Sequence, residues 1–241
     1  MGVERAPVHH SVSTWRQPTP PPGTPQRHAV VERVAERVLR LGEGRLRVAI
    51  DGRTAAGKTS LGHELAERIS AAGRPVLRAS LDDFKRPWRE AHLYDRTSGE
   101  GYYRNAFDYT AVTTLLLQPS GPRGSGQCAL CGIDPLTQRD HSSNVVQAPP
   151  DAVLVVDGVF AFRPQINAYW DLRIWLEVDA EVSIQRGIAR DRAREGTEAE
   201  TLHRDRYLPA ERLYMAEVDP ARLAEVIIGN NEIDRPRILR I

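Results

Sequence analysis

One segment of the sequence has the residue types and the spacing of a phosphate-binding loop. Residues 52–59 read Gly-Arg-Thr-Ala-Ala-Gly-Lys-Thr and match the pattern G-x-x-x-x-G-K-[ST]. Glycines let backbone N–H groups turn towards a phosphate, and the N-terminus of a following helix adds partial positive charge. Lys58 then bridges the β- and γ-phosphates of ATP, and the Thr59 hydroxyl ligates Mg²⁺. The predicted nucleotide contacts are Gly52, Thr54, Ala55, Ala56, Gly57, Lys58, Thr59 and Ser60.

Two acidic residues stand where short apolar runs end. Asp82 lies in Ser80-Leu81-Asp82-Asp83-Phe84, directly after a predicted strand, and Asp157 ends the run Leu154-Val155-Val156. A carboxylate at such a strand end can accept the proton of an attacking hydroxyl or help to hold Mg²⁺. We predict the first role for Asp82 and the second for Asp157. The alternative is that each acid belongs to an ordinary solvated turn.

A stripe of arginines occurs further along the chain. Arg186, Arg190 and Arg194 follow one another at four-residue intervals, which puts them on one face of a helix. Such a stripe can close over ATP and neutralise charge that develops on the transferred phosphoryl group. The alternative is a solvated face whose arginines pair with neighbouring acids.

Apolar periodicity indicates the elements that must position these residues. Val30, Val34 and Val38 recur at helical spacing, and Leu61, Leu65 and Ile69 indicate a second helix directly after the loop. Strands alternating with helices indicate a three-layer α/β fold, with helices on both faces of a parallel central sheet. The predicted strands cover residues 46–50, 75–79, 152–156, 172–178 and 225–228.

Composition shifts divide the chain. Residues 1–27 are rich in proline and are predicted to be a disordered tail, whereas residues 28–241 form one domain. Within it, residues 119–150 make a long connection on the acceptor side, and residues of about 184–206 carry the arginine stripe as a lid.

The charge balance excludes several classes of protein. The chain of 241 residues has 33 basic and 32 acidic side chains, so it offers no whole-chain electrostatic argument for nucleic acid or an anionic membrane. Only Lys58 and Lys85 are lysines, and one of them falls in the loop. No apolar run has the length of a membrane span and no secretory signal is visible, so we expect a cytoplasmic protein that acts on a small molecule. A homo-oligomer is left open.

Two cysteines occur in the weakly patterned region. Cys128 and Cys131 with His141 have the spacing of three zinc ligands, and a redox pair is a further alternative. Incidental thiols are favoured, because no second cysteine pair supplies a fourth ligand.

Taken together, these motifs resemble the uridine kinase group of P-loop nucleoside kinases, relatives of phosphoribulokinase and the P-loop pantothenate kinases. The resemblance runs from about Arg45 to Asn231. The loop is similar to the group's G-x-T-A-S-G-K-[ST], with Ala56 where serine is common. Residues 80–84 resemble the group's S-x-D-x-F, which implies that Asp82 is the base.

The resemblance also implies roles for residues that their own patterns leave unassigned. Residues 105–109 resemble N-F-D-H-P, which implies that Asp108 binds ribose hydroxyls, and residues 156–159 resemble E-G-[IV] with Asp157 as the acid. Residues 185–191 are similar to the lid signature R-R-x-x-R-D with Gln185 in its first position, which favours Arg186 and Arg190 over Arg194.

The pyrimidine-binding segment of the group, aromatic-Asp-aromatic-x-x-His, matches residues 133–138 only at Asp134. Tyr102, Tyr103 or Trp88 could supply a stacking face for the base from elsewhere, and the alternative is that each belongs to the core. The sequence thus predicts an ATP- and Mg²⁺-dependent kinase for the 5′-hydroxyl of a pyrimidine nucleoside. The alternatives are a kinase for pantothenate, a sugar phosphate or another alcohol, a non-transferring P-loop ATPase or GTPase, and a nucleotide-binding regulatory module.

Overall fold

The computed structural model describes residues 4–15 and 23–241. A seven-stranded sheet forms its centre, in the order β1-β3-β6-β2-β7-β8-β9, and every neighbouring pair is parallel except β8 and β9. The strands are β1 (Val8–His10), β2 (Leu46–Gly52), β3 (Val76–Ser80), β6 (Val153–Asp157), β7 (Leu172–Glu177), β8 (Val226–Gly229) and β9 (Arg237–Arg240), and a separate hairpin pairs β4 (Gln127–Ala129) with β5 (Val145–Gln147).

Helices cover both faces of the sheet. They are α1 (Pro25–Leu39), α2 (Lys58–Ala71), α3 (Gly99–Asn105), α4 (Tyr109–Ala111), α5 (Pro164–Asn167), α6 (Ala180–Glu195), α7 (Glu198–Thr201), α8 (Leu208–Val218) and α9 (Pro220–Leu223). Residues 112–117 continue α4, and residues 202–207 join α7 to α8, both as π-helix. Short 3₁₀ turns cover residues 81–84 and 88–90.

The central strands alternate between two apolar cores. In β2, Val48 and Ile50 pack with α1 and α2, whereas Ala49 joins the core under α3, α8 and the π-helical turn after α4. Successive residues of a strand point to opposite faces, so β2 has to be apolar on both sides. The predicted three-layer α/β fold with a mostly parallel sheet is confirmed.

The N-terminal segment differs from the predicted disordered tail. Val8–His10 pairs with β3 in parallel register, and α1 begins at Pro25. Proline is well tolerated in the first turn of a helix, and Pro7 precedes the strand without removing a donor from it. Hence the proline content of residues 1–27 is compatible with order over residues 4–15 and 23–27, while residues 1–3 and 16–22 lie outside the described part of the chain.

The long connection on the acceptor side and the lid segment both have defined structure. Residues 119–150 contain the β4–β5 hairpin and a single bridge between Ile133 and Asp140. The lid segment, residues 184–206, runs from α6 into the π-helical turn after α7, and Ile184, Ile188 and Ala199 give it a small apolar cluster of its own. Within residues 4–15 and 23–241, no helix is both long and apolar enough to cross a membrane.

Candidate active site

The phosphate-binding loop joins the end of β2 to the start of α2. Gly52 has φ +156°, and a Cβ atom there would lie 2.9 Å from the carbonyl oxygen of Leu176, so only glycine fits. Gly57 has φ +95°, and Lys58 begins the helix. The loop therefore presents backbone and a helix N-terminus to the same point, which is the arrangement that binds a phosphate chain.

Lys58 is held against the loop. Its Nζ donates to the carbonyl oxygens of Gly52, at 3.0 Å, and Arg53, at 2.7 Å. Burial lowers the pKa of Lys58, and the negative charges of Asp51 and Asp157 oppose that shift. An anion at the loop would supply the counter-charge that this buried ammonium group needs.

The side chains of Thr59, in the first turn of α2, and Asp157, at the end of β6, contact each other. The Thr59 hydroxyl donates to Asp157 Oδ2 at 2.6 Å, and Arg78 Nη2 donates to Asp157 Oδ1 at 2.5 Å. Arg78 and Asp157 are both nearly fully buried, so each provides the other's counter-charge. One hydroxyl and one carboxylate oxygen therefore lie side by side beside the loop.

This donor set suits Mg²⁺ rather than a metal held by protein alone. Mg²⁺ usually takes one or two protein oxygens and completes its shell with phosphate oxygens and water. In the part of the chain that the structure describes, no group of three or more His, Cys, Asp or Glu side chains could hold a metal ion. Thr59 and Asp157 would hold Mg²⁺ only together with the phosphates of the nucleotide.

Asp82 pairs with the second lysine of the chain. Lys85 Nζ lies 2.8 Å from Asp82 Oδ1, and both side chains are about one-third exposed (31% and 30%). Burial on its own would raise the pKa of Asp82, but the charge and hydrogen bond of Lys85, with further help from Lys58 and Arg190, hold that pKa below its ordinary value. Asp82 is therefore ionised at neutral pH and able to accept a hydrogen bond from a hydroxyl.

The lid arginines are held in place by the protein itself. Arg190 makes two hydrogen bonds to the neighbouring Asp191, whose other partner is His203 Nε2 at 2.9 Å. Burial would raise the pKa of Asp191, but the hydrogen bonds from Arg190 and His203 hold it low. Arg186 donates to the carbonyl oxygens of Asn230, at 2.9 Å, and Asn231, at 2.5 Å.

A cavity of about 470 Å³, here called the loop cavity, brings most of the predicted site together. Its lining combines the loop, the two strand-end acids and both favoured lid arginines. The predicted residues that line it are Thr54, Ala55, Gly57, Lys58, Thr59, Ser60, Asp82, Asp157, Arg186 and Arg190. Gly52 and Ala56 are buried behind the lining.

A second cavity of about 570 Å³ adjoins the loop cavity. Trp15, Lys85, Tyr102, Arg194 and Tyr207 line both of them. Lys85 therefore marks the boundary at which a molecule in the second cavity would approach the phosphate end of a nucleotide in the first.

The structure places Asp108, Asp134 and Tyr103 outside both cavities. The Asp108 side chain caps α4 by accepting from the Ala111 N–H at 2.9 Å. Tyr103 is buried in the aromatic core, and its hydroxyl donates to Glu217 at 3.0 Å. Tyr102, its neighbour in the sequence, faces the cavities instead.

Asp134 is fully buried and its oxygens are already used. It accepts from the N–H of Thr14 at 2.6 Å and its hydroxyl at 3.0 Å, and from the N–H groups of Leu136 and Thr137 at 2.9 and 2.8 Å. These donors lower the pKa of Asp134 despite its burial. In this structure Asp134 joins the N-terminal segment to the loop before β5 and offers no free oxygen to a substrate.

Several residues at the site escape sequence reasoning. Trp15 lines both cavities and lies 4.7 Å from the guanidinium of Arg194, and Glu211 accepts from the Thr54 N–H at 2.7 Å and from Arg53 at 3.0 Å. Each of these contacts joins segments that are far apart in the sequence. No local sequence pattern indicates these contacts.

The two cysteines are buried free thiols. Burial raises the pKa of Cys128 to about 11 and that of Cys131 to about 12, so neither forms a thiolate readily. The His141 ring meets the Asn144 side chain at 3.1 Å. The surroundings favour incidental thiols over a zinc or redox site.

Comparisons with known proteins find kinases among the similar chains. The model of the Phosphoribulokinase / Uridine kinase family matches residues 133–228. A uridine kinase of Halobacterium salinarum is 27% identical over 195 residues, which cover 77% of this chain and 81% of that protein. A uridine kinase of Deinococcus deserti is 22% identical over 199 residues, which cover 79% and 90% of the two chains.

Solved structures support the fold. A possible uridine kinase from Bacillus stearothermophilus superposes with a TM-score of 0.59 at 23% identity, covering 82% of this chain and 96% of that one. A putative fructose transport system kinase from Silicibacter sp. TM1040 gives 0.64 at 20% identity, covering 78% and 95%.

Fold, loop and matches together define an ATP-dependent P-loop kinase that transfers a phosphoryl group to an alcohol. The resemblance to the uridine kinase group, predicted from the motifs, is confirmed.

Proposed function

We propose that the protein transfers the γ-phosphoryl group of ATP to a primary hydroxyl of a small acceptor bound in the second cavity. The observation that carries this proposal is the position of the Asp82–Lys85 pair: Asp82 lines the loop cavity, and Lys85 lines both. A hydroxyl presented from the second cavity would reach Asp82 at the end of the nucleotide that carries the γ-phosphate.

Each group at the loop cavity has a role in this proposal. The loop amides and Lys58 would bind the β- and γ-phosphates, and Thr59 and Asp157 would hold Mg²⁺, which would neutralise charge on the phosphates. Asp82 orients the acceptor hydroxyl and accepts its proton. Arg186 and Arg190 stabilise negative charge on the transferred group.

The first candidate acceptor is a pyrimidine nucleoside, phosphorylated on its 5′-hydroxyl. The relatives named as uridine kinases support it. The second cavity also contains aromatic side chains that could stack on a base, Trp15, Trp88 and Tyr102 among them. A kinase of this kind would act on a free small molecule in the cytoplasm, without nucleic acid or membrane.

The second candidate is another alcohol, such as a sugar phosphate or a pantothenate-like acid. It is favoured by the arginines of the second cavity, Arg86, Arg96 and Arg206. Residues 133–138 also lack the aromatic residues and the histidine of the pyrimidine-binding segment.

ADP release with ATP, Mg²⁺ and a panel of acceptors tests the proposal. We expect release to require an acceptor and Asp82→Asn to reduce kcat by about 10²- to 10⁴-fold without changing ATP affinity. ATP turnover that is equally fast without any acceptor would refute phosphoryl transfer to an alcohol. Unchanged turnover in Asp82→Asn would refute the role of Asp82.

A further inference from the structure

Among the residues that the structure describes, three arginines of the second cavity have no carboxylate partner. Arg86, Arg96 and Arg206 all line it, and none of them appears in an ion pair formed within the described part of the chain. The other two cations of the lining, Lys85 and Arg194, each pair with an acid. Arginine is always ionised, so the cavity wall keeps an uncompensated positive charge.

Aromatic rings contact the flat faces of two of these guanidinium groups, and part of the hydrogen-bonding capacity at the guanidinium edges is unused. Arg86 lies over the ring of Tyr94 and Arg206 over that of Tyr102, each at 4.7 Å. The Nε atoms of Arg86 and Arg206 are buried and have no hydrogen-bond partner within residues 4–15 and 23–241. Arg96 donates to the carbonyl oxygen of Arg86 at 2.6 Å. A cation–π contact uses the face of a guanidinium and leaves its N–H edge for an anion.

The nearest acids do not neutralise this cluster. Asp95 accepts hydrogen bonds from its own turn, and Glu195 pairs with Arg194. Burial lowers the pKa of Arg96, the positive charges of Arg206 and Arg86 lower it further, and Glu90 opposes the shift only in part. Like charges gathered at a half-buried site without a counter-ion destabilise a protein, unless a bound anion relieves them.

We propose that the acceptor carries an anionic group, a phosphate or a carboxylate, and that Arg86, Arg96 and Arg206 bind it. This inference rests on the proposed function and narrows its substrate class, because an unmodified nucleoside has no charge to place against these arginines. The hydroxyl of the acceptor lies at the Asp82–Lys85 pair, and its anionic group lies deeper in the second cavity. Since Arg206 belongs to the lid segment, the lid contributes one of the three arginines that contact the anion.

A binding experiment tests the anion site without relying on activity. The protein is saturated with a non-hydrolysable ATP analogue and Mg²⁺ to occupy the phosphate-binding loop, and inorganic phosphate is then titrated by calorimetry. We expect binding that is weakened about 10- to 100-fold by Arg96→Gln and by Arg206→Gln. Arg89→Gln is the matched control, because Arg89 is exposed in the same stretch and lines neither cavity. No phosphate binding, or binding unaffected by Arg96→Gln and Arg206→Gln, overturns the anion site.

A matched pair of acceptors separates this inference from the proposed function. Uridine and uridine 3′-monophosphate offer the same free 5′-hydroxyl and differ by one phosphate, and glycerol with glycerate provides a carboxylate pair. We expect the charged member to have a lower KM than the neutral member, and we expect Arg206→Gln to remove this difference. Transfer to both members with equal KM values, or a KM of the charged member that Arg206→Gln leaves unchanged, overturns the inference and leaves the kinase proposal standing. Phosphate binding that depends on these arginines, without phosphoryl transfer to any acceptor, overturns the kinase proposal and leaves the anion site standing.

Discussion

Replacing Lys85 by methionine should move the acid limb of the pH–rate profile. Lys85 Nζ lies 2.8 Å from Asp82 Oδ1, and at an effective dielectric constant of about 20 the attraction of such a pair is about 6 kcal/mol. Both side chains are about one-third exposed (31% and 30%), so solvent screens the pair and reduces the net attraction between the two charges. We expect about 1–2 kcal/mol to remain, which corresponds to about one pKa unit.

The sign follows from the direction of the shift. In the native protein the charge of Lys85 lowers the pKa of Asp82, so the carboxylate that accepts the proton is present down to acidic pH. Lys85→Met removes that charge and raises the pKa of Asp82. The acid limb of kcat/KM should therefore move to higher pH by about one unit, while the rate near pH 8 loses nothing through protonation of Asp82.

The assay is ADP release as a function of pH, with an acceptor from the panel that supports turnover. Asp82→Asn should show no such limb, and Arg89→Gln should leave the limb where it is, because Arg89 is exposed and lines neither cavity. If the acid limb stays at the same pH in Lys85→Met, protonation of Asp82 does not set that limb, and Lys85 does not act on the rate through the pKa of Asp82.

Three further predictions concern stability. Asp157→Asn leaves the buried Arg78 without a full counter-charge and should lower the free energy of unfolding by about 3–5 kcal/mol in denaturant titrations. Burial raises the pKa of Asp83 from 3.8 to about 7, so the native protein loses stability as pH rises through this range. The melting temperature of Asp83→Asn should therefore gain on that of the native protein between about pH 4 and 7 and the difference should level off above that. Thr14→Val removes one donor from the buried carboxylate of Asp134 and should cost about 1–3 kcal/mol of unfolding free energy; an unchanged melt would contradict this contact.

The sequence predicts the loop well because the loop is local. Eight consecutive residues contain the glycines, Lys58 and Thr59, and the strand before and the helix after are visible as apolar patterns. Asp82 and Asp157 line the same cavity as the loop, since the carboxyl ends of parallel strands meet at one edge of the sheet.

Long-range contacts set the remainder of the site and leave no local signal. The ion pair of Arg78 with Asp157 joins β3 to β6, and Trp15 reaches the cavities from a segment whose composition indicates disorder. Asp134 shows the opposite case. Its position matches a substrate-binding motif, yet burial and four backbone or hydroxyl donors use its oxygens for structure. A motif gives the type of a residue, but only the folded structure shows which groups surround that residue.

The distribution of the tryptophans gives the protein an optical probe of its own. Trp15 lines both cavities and rests on a lid arginine, and Trp88 lines the second cavity alone, while Trp170 and Trp175 are buried in the core. The core pair supplies a steady background of fluorescence. With Trp88→Phe, changes in emission through Trp15 report binding in either cavity. With Trp15→Phe, they report the second cavity through Trp88, so comparing the two variants distinguishes acceptor binding from nucleotide binding without an added dye.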